Sequence, residues 1–475
     1  MIKFEKVNLK NGKRAEKIFS ACNYILSDYS ATCAYMWKDY YDIKYAFIYG
    51  DCVQSMRYSK RDTAFTLPVT NDREKIVKLL AEEFKEKKTP LEFCCVPDGY
   101  VHFLYDIFPY VKVHFDRDWS DYVYLASDFA TFKGKKFSGQ RNHINKFKSL
   151  YPDYKYERIT KDNLRLVKDC MAEYVKDYTK KSTLSKKENE YAERLLNNYS
   201  DFSLLGGMIT VKGKCVAFSV NELVGETLIT HIEKVLKSYE GAGQVIVNEI
   251  AKDYGLSAIY INREDDSGDE GLRISKTQYH PVDIMNKNFI RVYKTFYNVY
   301  EMPVLKGEKV TVSNLTAGDK EDYYRMYTDD KLNEFWGYDY RQDVKKPSPD
   351  AFLRMQRKDV KEKTCFSLKV TDRKTGEFAG EVCLYDFDFF GNAQIGVRII
   401  EKHQGKGYAT EALKLLTAWA YRKGAKKVFA KCFKQNVKSK AVLQKVFTFN
   451  GEDKDYYYFV ADKNAFNQND RTSRF

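Results

Sequence analysis

The chain lacks the features that mark a membrane-spanning or secreted protein. No run of uncharged apolar residues reaches the roughly 20 residues that a membrane helix needs, and the first residues, Met1 to Lys6, hold no hydrophobic signal core. Ten cysteines are scattered through the sequence without a C-x-x-C pair or histidine partners, which argues against a disulfide framework or a zinc site. We therefore expect reduced, mostly buried thiols, no metal centre and a cytoplasmic location.

What the sequence does have is length, aromatic residues and positive charge. Its 475 residues exceed one hydrophobic core, so we expect about two to four domains. The 38 tyrosines and 31 phenylalanines give each domain apolar material to bury. The net charge of +14 is compatible with RNA, an anionic membrane surface or coenzyme A as a partner, and equally with a solvated lysine surface. Charge alone does not select among these.

The most informative segment is Gln404-Gly405-Lys406-Gly407-Tyr408-Ala409. It follows a strand-like run, Gln394 to Ile400, and opens a run with helical periodicity from Glu411 to Ala420. Glycines let a backbone approach phosphates closely, and the first N–H groups of a helix attract negative charge. The segment therefore predicts a pyrophosphate-binding turn, with an ordinary βαβ connection as the alternative.

The residues after this turn keep to a recognisable order. A strand-like run at Lys426 to Lys431 is followed by Asn436, Ser439 and a second amphipathic run through Val446. This order and the Q-x-x-G-x-A spacing resemble the GNAT N-acetyltransferases over about residues 305–462, and Gly-Tyr-Ala-Thr-Glu-Ala-Leu is most similar to the branch that acetylates ribosomal-protein N-termini. The resemblance implies acetyl-CoA as acyl donor and an amine acceptor on a small molecule, a peptide or a protein terminus. The implied cofactor site comprises Ile399, Ile400, Gln404, Gly405, Lys406, Gly407, Tyr408, Ala409, Asn436 and Ser439.

The catalytic groups of this domain are less well defined. Some GNAT enzymes place a glutamate base on the strand before the turn, where this chain has Gln394. Glu381 on a neighbouring predicted strand and Glu401 just before the turn are the remaining candidate bases. Asn436 resembles the family residue that reaches the pantetheine arm or an ordered water. The alternative is a domain that binds acetyl-CoA without catalysis.

A second resemblance lies in the first three hundred residues. Its motifs are Phe132 to Phe147, His231 to Lys234, Gly241 to Gln244, and Asn262 to Pro281. They are similar to proteins carrying the C-terminal domain of phosphatidylglycerol lysyltransferase, over about residues 1–297. The resemblance implies two GNAT-like lobes that move an aminoacyl group from charged tRNA to an amine or hydroxyl acceptor, with tRNA as a partner. The membrane-spanning half of the lipid-modifying enzymes has no counterpart in this sequence, so we do not expect lipid aminoacylation.

Several charged residues of this region could form a substrate site. Carboxylates just past the strand-like run Ile259 to Ile261 could bind a substrate ammonium or act as a base, and nearby cations could hold an acidic partner. A surface turn of self-paired charges explains the same residues equally well. The candidate site comprises His231, Glu233, Arg263, Glu264, Asp266, Arg273 and Lys276.

Together these patterns predict an α+β chain of tandem GNAT-like domains, with mixed, mostly antiparallel sheets flanked by helices. The predicted domains are a first lobe at 1–120, a second lobe at 121–300 and a C-terminal acetyltransferase domain at 301–475. A strand, glycine turn, helix and strand over residues 227–261 are a weaker copy of the C-terminal order and suggest a diverged repeat. We expect acetyl transfer by the C-terminal domain. Transfer from aminoacyl-tRNA by the N-terminal module is the alternative.

Overall fold

The structure, a computed structural model, describes residues 2–22, 24–58, 63–69, 72–87, 89–177 and 183–468. Three mixed, mostly antiparallel sheets flanked by helices confirm the predicted fold class. The chain separates into two compact units. The N-terminal unit comprises Met1–Asp106 and Val111–Arg291, and the C-terminal unit comprises Ile107–Tyr110 and Val292–Phe475. The three-domain division stays a prediction. In the described part of the chain, no helix has the length and apolar character needed to span a membrane.

The N-terminal unit contains two seven-stranded sheets. The elements up to residue 114 are β1 (Glu5–Lys6), α1 (Leu9–Phe19), α2 (Ala31–Trp37), β2 (Lys44–Ile48), β3 (Asp51–Arg57), β4 (Thr63–Phe65), α3 (Arg73–Phe84), β5 (Leu91–Val96), α4 (Val101–Ile107) and β6 (Val111–His114). The elements that follow are β7 (Asp121–Leu125), α5 (Ala126–Thr131), α6 (Ser138–Leu150), β8 (Lys155–Arg158), α7 (Leu164–Asp177), α8 (Thr183–Asn197), β9 (Leu204–Val211), β10 (Lys214–Val224), β11 (Thr227–Val235), α9 (Ala242–Tyr254), β12 (Tyr260–Asn262), α10 (Glu270–Thr277), β13 (Asp283–Met285) and β14 (Asn288–Val292).

The last strand of this unit returns to the first sheet. The strand orders are β1-β2-β3-β4-β5-β14-β6 and β13-β7-β12-β11-β10-β9-β8. The predicted second lobe, 121–300, includes Asn288–Val292, yet this strand lies between β5 and β6. The pairing partner of a five-residue strand is chosen by long-range packing, which its own sequence does not reveal.

The C-terminal unit contains one eight-stranded sheet, in the order β15-β16-β17-β18-β19-β20-β22-β21. Its elements are β15 (Leu305–Lys306), β16 (Val310–Ser313), α11 (Lys320–Thr328), α12 (Asp330–Asn333), α13 (Pro349–Glu362), β17 (Cys365–Asp372), β18 (Phe378–Tyr385), β19 (Asn392–Ile399), α14 (Tyr408–Arg422), β20 (Lys427–Phe433), α15 (Val437–Leu443), β21 (Thr448–Glu452), β22 (Tyr456–Val460) and α16 (Lys463–Gln468).

Helix α14 packs on one face of this sheet and fixes the position of the turn before it. Ala412, Leu413, Leu416 and Ala420 recur at the helical period and are fully buried against the sheet residues Ile395 and Val428. Burial of each leucine contributes about 1.5–3 kcal/mol. The start of α14 is therefore held firmly beside the end of β19.

Candidate acyl-donor site and a buried charge cluster

The Gly405–Ala409 turn joins the end of β19 to α14. Gly405 and Gly407 have φ angles of 76° and 83°, in the left-handed region that favours glycine. Gly407 is the N-cap of α14 and provides no side chain to bond the first helical N–H groups, which the helix itself leaves without partners. A Cβ built on Gly405 would meet no heavy atom within 4 Å. The turn is therefore an open backbone cradle of the kind that binds phosphate oxygens.

A similar turn in the N-terminal unit is closed. Gly241 also precedes a helix and has a φ of 89°. A Cβ on Gly241 would lie 2.5 Å from the carbonyl oxygen of His143 and 3.0 Å from the Cβ of Phe147, both on α6. Because α6 covers Gly241, the open cradle at Gly405 has no equivalent at this position.

A gap opens in the sheet beside the Gly405 turn. β19 and β20 pair in parallel from Asn392 to Gln394, opposite Lys427 to Phe429. β19 continues to Ile399 and β20 to Phe433, but no further pair joins them among the described residues. The other edge of β19 stays paired with β18. The strands therefore separate, and the backbone groups of residues 395–398 on this edge have no partner in β20.

The first turn of α14 also organises the segment before β16. The Glu411 carboxylate accepts hydrogen bonds from the backbone N–H groups of Glu308, Lys309 and Val310, each at 2.8 Å. This clamp needs a glycine at 307, because a Cβ there would lie 2.5 Å from Glu411 Cδ. It brings Lys309 Nζ to 3.3 Å from the Lys406 carbonyl oxygen. A lysine ammonium thus lies at the turn, and sequence reasoning missed it because Lys309 is distant in the chain.

The remaining predicted cofactor residues lie around the same turn and the following helix. Gln404 Nε2 donates to the Ile399 carbonyl at 3.0 Å and ties the turn to the strand end. The Ile400 N–H donates to the carbonyl of Ala379 on β18 at 3.0 Å. Ala409 lies in the first turn of α14. Their contacts with a cofactor stay predictions.

Three further predicted cofactor residues, Tyr408, Asn436 and Ser439, make contacts at the turn or in α15. Tyr408 donates its hydroxyl to the Asp372 carboxylate, and its ring stacks on the ring of His403. Asn436 is the N-cap of α15, and its Oδ1 accepts from the Ser439 N–H at 3.0 Å. The side-chain oxygen of Asn436 therefore has a structural partner, and its predicted catalytic role stays a prediction.

The two candidate bases have opposite environments. Glu381 is fully buried, and its carboxylate is bound by Arg398 at 2.5 Å, by the Tyr327 hydroxyl at 2.9 Å and by Ser367. Glu401 is exposed, with Lys331 Nζ 3.0 Å from its Oε1. Arg398 is itself almost fully buried and has Glu381 as its counter-charge, and a buried charge without its partner is costly. This environment favours a positioning role for Glu381. Both assignments as base stay predictions.

The structure brings all seven predicted N-terminal site residues into one cluster around the loop 262–269. His231 is central: its Nδ1 lies 2.9 Å from Glu264 and its Nε2 lies 3.1 Å from Glu222. Burial by itself would lower the pKa of His231, but the hydrogen bonds to Glu222 and Glu264 outweigh this and raise it to about 9. His231 is therefore a buried imidazolium held between two carboxylates.

The other five residues pair with one another or with the loop backbone. Arg263 Nη2 donates to Glu233 at 2.8 Å, and Arg273 binds Asp266 through Nε at 3.0 Å and Nη2 at 2.9 Å. Lys276 Nζ donates to the Arg263 carbonyl at 2.6 Å. These charged side chains thus bind one another or the loop backbone, and Glu264 remains partly exposed.

A second buried cation in this unit was missed by sequence reasoning. Lys287 Nζ lies 2.9 Å from Asp28, 2.8 Å from Asp121 and 3.4 Å from Asp265. These carboxylates come from three distant parts of the chain and include the residue next to Glu264. No local spacing pattern marks such a cluster. It extends the charged network of the predicted site into the core of the unit.

The fold and the open turn define an acyltransferase-type protein of the GNAT class. The chain belongs to the family described as phosphatidylglycerol lysyltransferase, C-terminal, whose model matches residues 23–289, more than half of the chain. The model of the acetyltransferase (GNAT) domain matches residues 309–446. Both resemblances seen in the sequence are confirmed, and the chain joins two acyltransferase-type domains.

Three solved structures are similar to parts of this chain. A conserved protein of unknown function from Bacteroides thetaiotaomicron is 32% identical, covers 62% of this chain and 100% of its own, and has a TM-score of 0.58. L-PGS from Bacillus licheniformis is 12% identical over 61% of this chain and 93% of its own, with a TM-score of 0.44. Spermidine N-acetyltransferase from Vibrio cholerae, in complex with CoA and spermine, is 16% identical over 34% of this chain and 99% of its own, with a TM-score of 0.29. No curated protein matches the sequence significantly.

Proposed function

We propose that the C-terminal unit transfers an acetyl group from acetyl-CoA to an amine. The open turn at Gly405 beside the gap between β19 and β20 carries this proposal. The match to the GNAT domain model over residues 309–446 supports it. The thioester supplies the activated acyl group. The protein supplies a fixed place for phosphates and an exposed strand edge for the pantetheine arm. At the gap between β19 and β20, an amine can reach the carbonyl.

The residues present fit this donor. Backbone N–H groups of residues 405–409, the ammonium of Lys309 and that of Lys406 provide donors and positive charge for a pyrophosphate. The free edge of β19 offers N–H and C=O groups to an amide-containing chain, in the manner of an added strand. Glu381 binds Arg398 and fixes its position on β19.

Calorimetric titration with acetyl-CoA, followed by an amine-acceptor screen, tests the proposal. We expect one site per chain, with binding lost in Gly405→Val and turnover on at least one amine. The absence of binding by the unaltered protein would overturn the proposal. Binding without turnover on any amine would identify a sensor or binding protein instead.

Family membership favours a second candidate function for the N-terminal unit, aminoacyl transfer from charged tRNA. The partly exposed Glu264 beside His231 is the group through which an acceptor amine could be bound. This candidate predicts salt-sensitive binding of charged tRNA. No affinity for charged tRNA at low salt would eliminate it.

A further inference from the structure

One face of the C-terminal sheet is only partly covered next to the gap between β19 and β20. Strand register places Gln394, Gly396 and Arg398 of β19 on the same face as Phe433 of β20. Residues Ile395 and Ile399, on the other face, belong to the core against α14. The partly covered face is therefore the side from which a second substrate can reach the acyl-donor gap.

We call the partly covered face beside the gap the opening. It is surrounded by four partly exposed aromatic side chains: Phe335, Trp336, Phe433 and Tyr456. The rings of Phe433 and Tyr456 are 4.4 Å apart between centroids, and those of Phe335 and Phe433 are 6.0 Å apart. Aromatic walls favour ligands with an apolar or flat group, and they attract ammonium groups through the ring faces. Their position at the gap indicates contact with the acceptor.

Trp336 is held in place from two sides. The Arg398 guanidinium lies 3.9 Å from its ring centroid, and Arg398 is itself fixed by Glu381. A Cβ on Gly396 would lie 3.1 Å from Trp336 Cη2, so the indole rests on the strand where a side chain is missing. Trp336 thus forms a rigid wall, because Gly396 leaves room for the indole on the strand and Arg398 packs against its ring.

The opening also contains a hydrogen-bond acceptor without a partner. Gln394 Nε2 donates to Asp386 at 2.6 Å, which orients the amide. Its Oε1 is buried and has no hydrogen-bond partner among the described residues. A buried, unpaired carbonyl oxygen is unfavourable and is stabilised by any N–H donor that reaches it. The nitrogen of an acceptor amine is such a donor.

We propose that this opening binds the acceptor amine, that Gln394 Oε1 accepts a hydrogen bond from its nitrogen, and that the aromatic walls select an amine attached to an aromatic or branched apolar group. The inference rests on the proposed acetyl transfer. The N–C bond forms as the C–S bond breaks, and the surplus proton of the amine ends on the departing sulfur. Gln394 cannot accept that proton, so it is a positioning residue that directs the nitrogen lone pair.

The test compares steady-state acetylation of phenethylamine, 3-methylbutylamine, spermidine and glucosamine. We expect kcat/KM for the first two amines to exceed that for the others by about tenfold or more. Gln394→Ala should lower kcat/KM for phenethylamine about tenfold, the factor expected for one lost hydrogen bond. Trp336→Ala should raise KM for phenethylamine and leave spermidine nearly unchanged. Phe449→Ala, an exposed aromatic on the edge strand β21, is the matched control.

Calorimetry with acetyl-CoA distinguishes a failure of the proposed acetyl transfer from a failure of the acceptor assignment alone. The Gln394 and Trp336 variants should bind acetyl-CoA like the unaltered protein, which also shows that they fold. If the unaltered protein binds no acetyl-CoA, the proposed function fails and this inference with it. If it binds but acetylates neither apolar amine, if Gln394→Ala leaves kcat/KM unchanged, or if the Trp336 variant affects all amines equally, only the acceptor assignment is overturned.

Discussion

Arg398 and Glu381 face each other on neighbouring strands, both almost fully buried, with 2.5 Å between Nη2 and Oε2. Removing one partner of such a pair costs about 3–5 kcal/mol, because the other charge stays buried and unpaired. The free energy of unfolding of Glu381→Gln should therefore be lower than that of the unaltered protein by this amount, and urea unfolding measures the difference.

Glu401→Gln is the control for this prediction. Its exposed pair with Lys331 contributes about 0–1 kcal/mol, so stability should hardly change. An unchanged free energy of unfolding in Glu381→Gln would contradict the importance of this buried pair.

Gly405→Val should lower the affinity for acetyl-CoA by about 100-fold or more. A β-branched residue at a φ of 76° strains the turn, and two lost charge-assisted hydrogen bonds contribute about 1.5–3 kcal/mol each. Calorimetry measures the change. Gly451→Val, at another positive-φ glycine with open space around it, should bind normally. Equal losses in both variants would show a general folding defect.

Lys309→Met should weaken acetyl-CoA binding about three- to tenfold and reduce its dependence on salt, because one ammonium near the phosphates is removed. Glu411→Gln should have a similar effect, since its carboxylate positions Lys309. Titrations at two ionic strengths measure both changes. Lys306→Met on β15 is the control, and a salt dependence unchanged in Lys309→Met would contradict the role of Lys309.

The stability of the N-terminal unit should fall between about pH 6.5 and 9 because of His231. Its pKa is raised to about 9 in the folded state, so its contribution is fully present below the unfolded value near 6.5 and is lost as the pH rises through 9. The contribution is on the order of 3 kcal/mol. Urea unfolding from pH 6 to 9.5 measures it.

His231→Gln should be less stable at neutral pH and should lose the alkaline slope. His403 should show the opposite pH dependence. Burial and the nearby charges of Lys406 and Lys402 lower its pKa, so it destabilises the folded state as the pH falls below about 6.5. A variant of His231 with the same alkaline slope as the unaltered protein would refute the buried imidazolium.

Much of the C-terminal unit could be predicted because its signals are local. The strand-like run from Gln394 to Ile400 coincides with most of β19, and the helix predicted from Glu411 to Ala420 lies within α14. In the N-terminal unit, the predicted strand, turn, helix and strand correspond to β11, Gly241, α9 and β12. Periodicity and turn glycines identify such elements from neighbouring residues alone.

The sequence by itself determined the families, the fold class and the position of the glycine turn before α14, since each depends on contiguous residues. Tertiary structure decided which glycine turn is open, because α6 covers Gly241 and no atom of the described residues lies within 4 Å of a Cβ built on Gly405. It also decided that Glu381 is a buried partner of Arg398, and that Lys287 gathers three distant carboxylates. The energy of a buried charge depends on what the rest of the chain places around it, and that information is absent from local spacing.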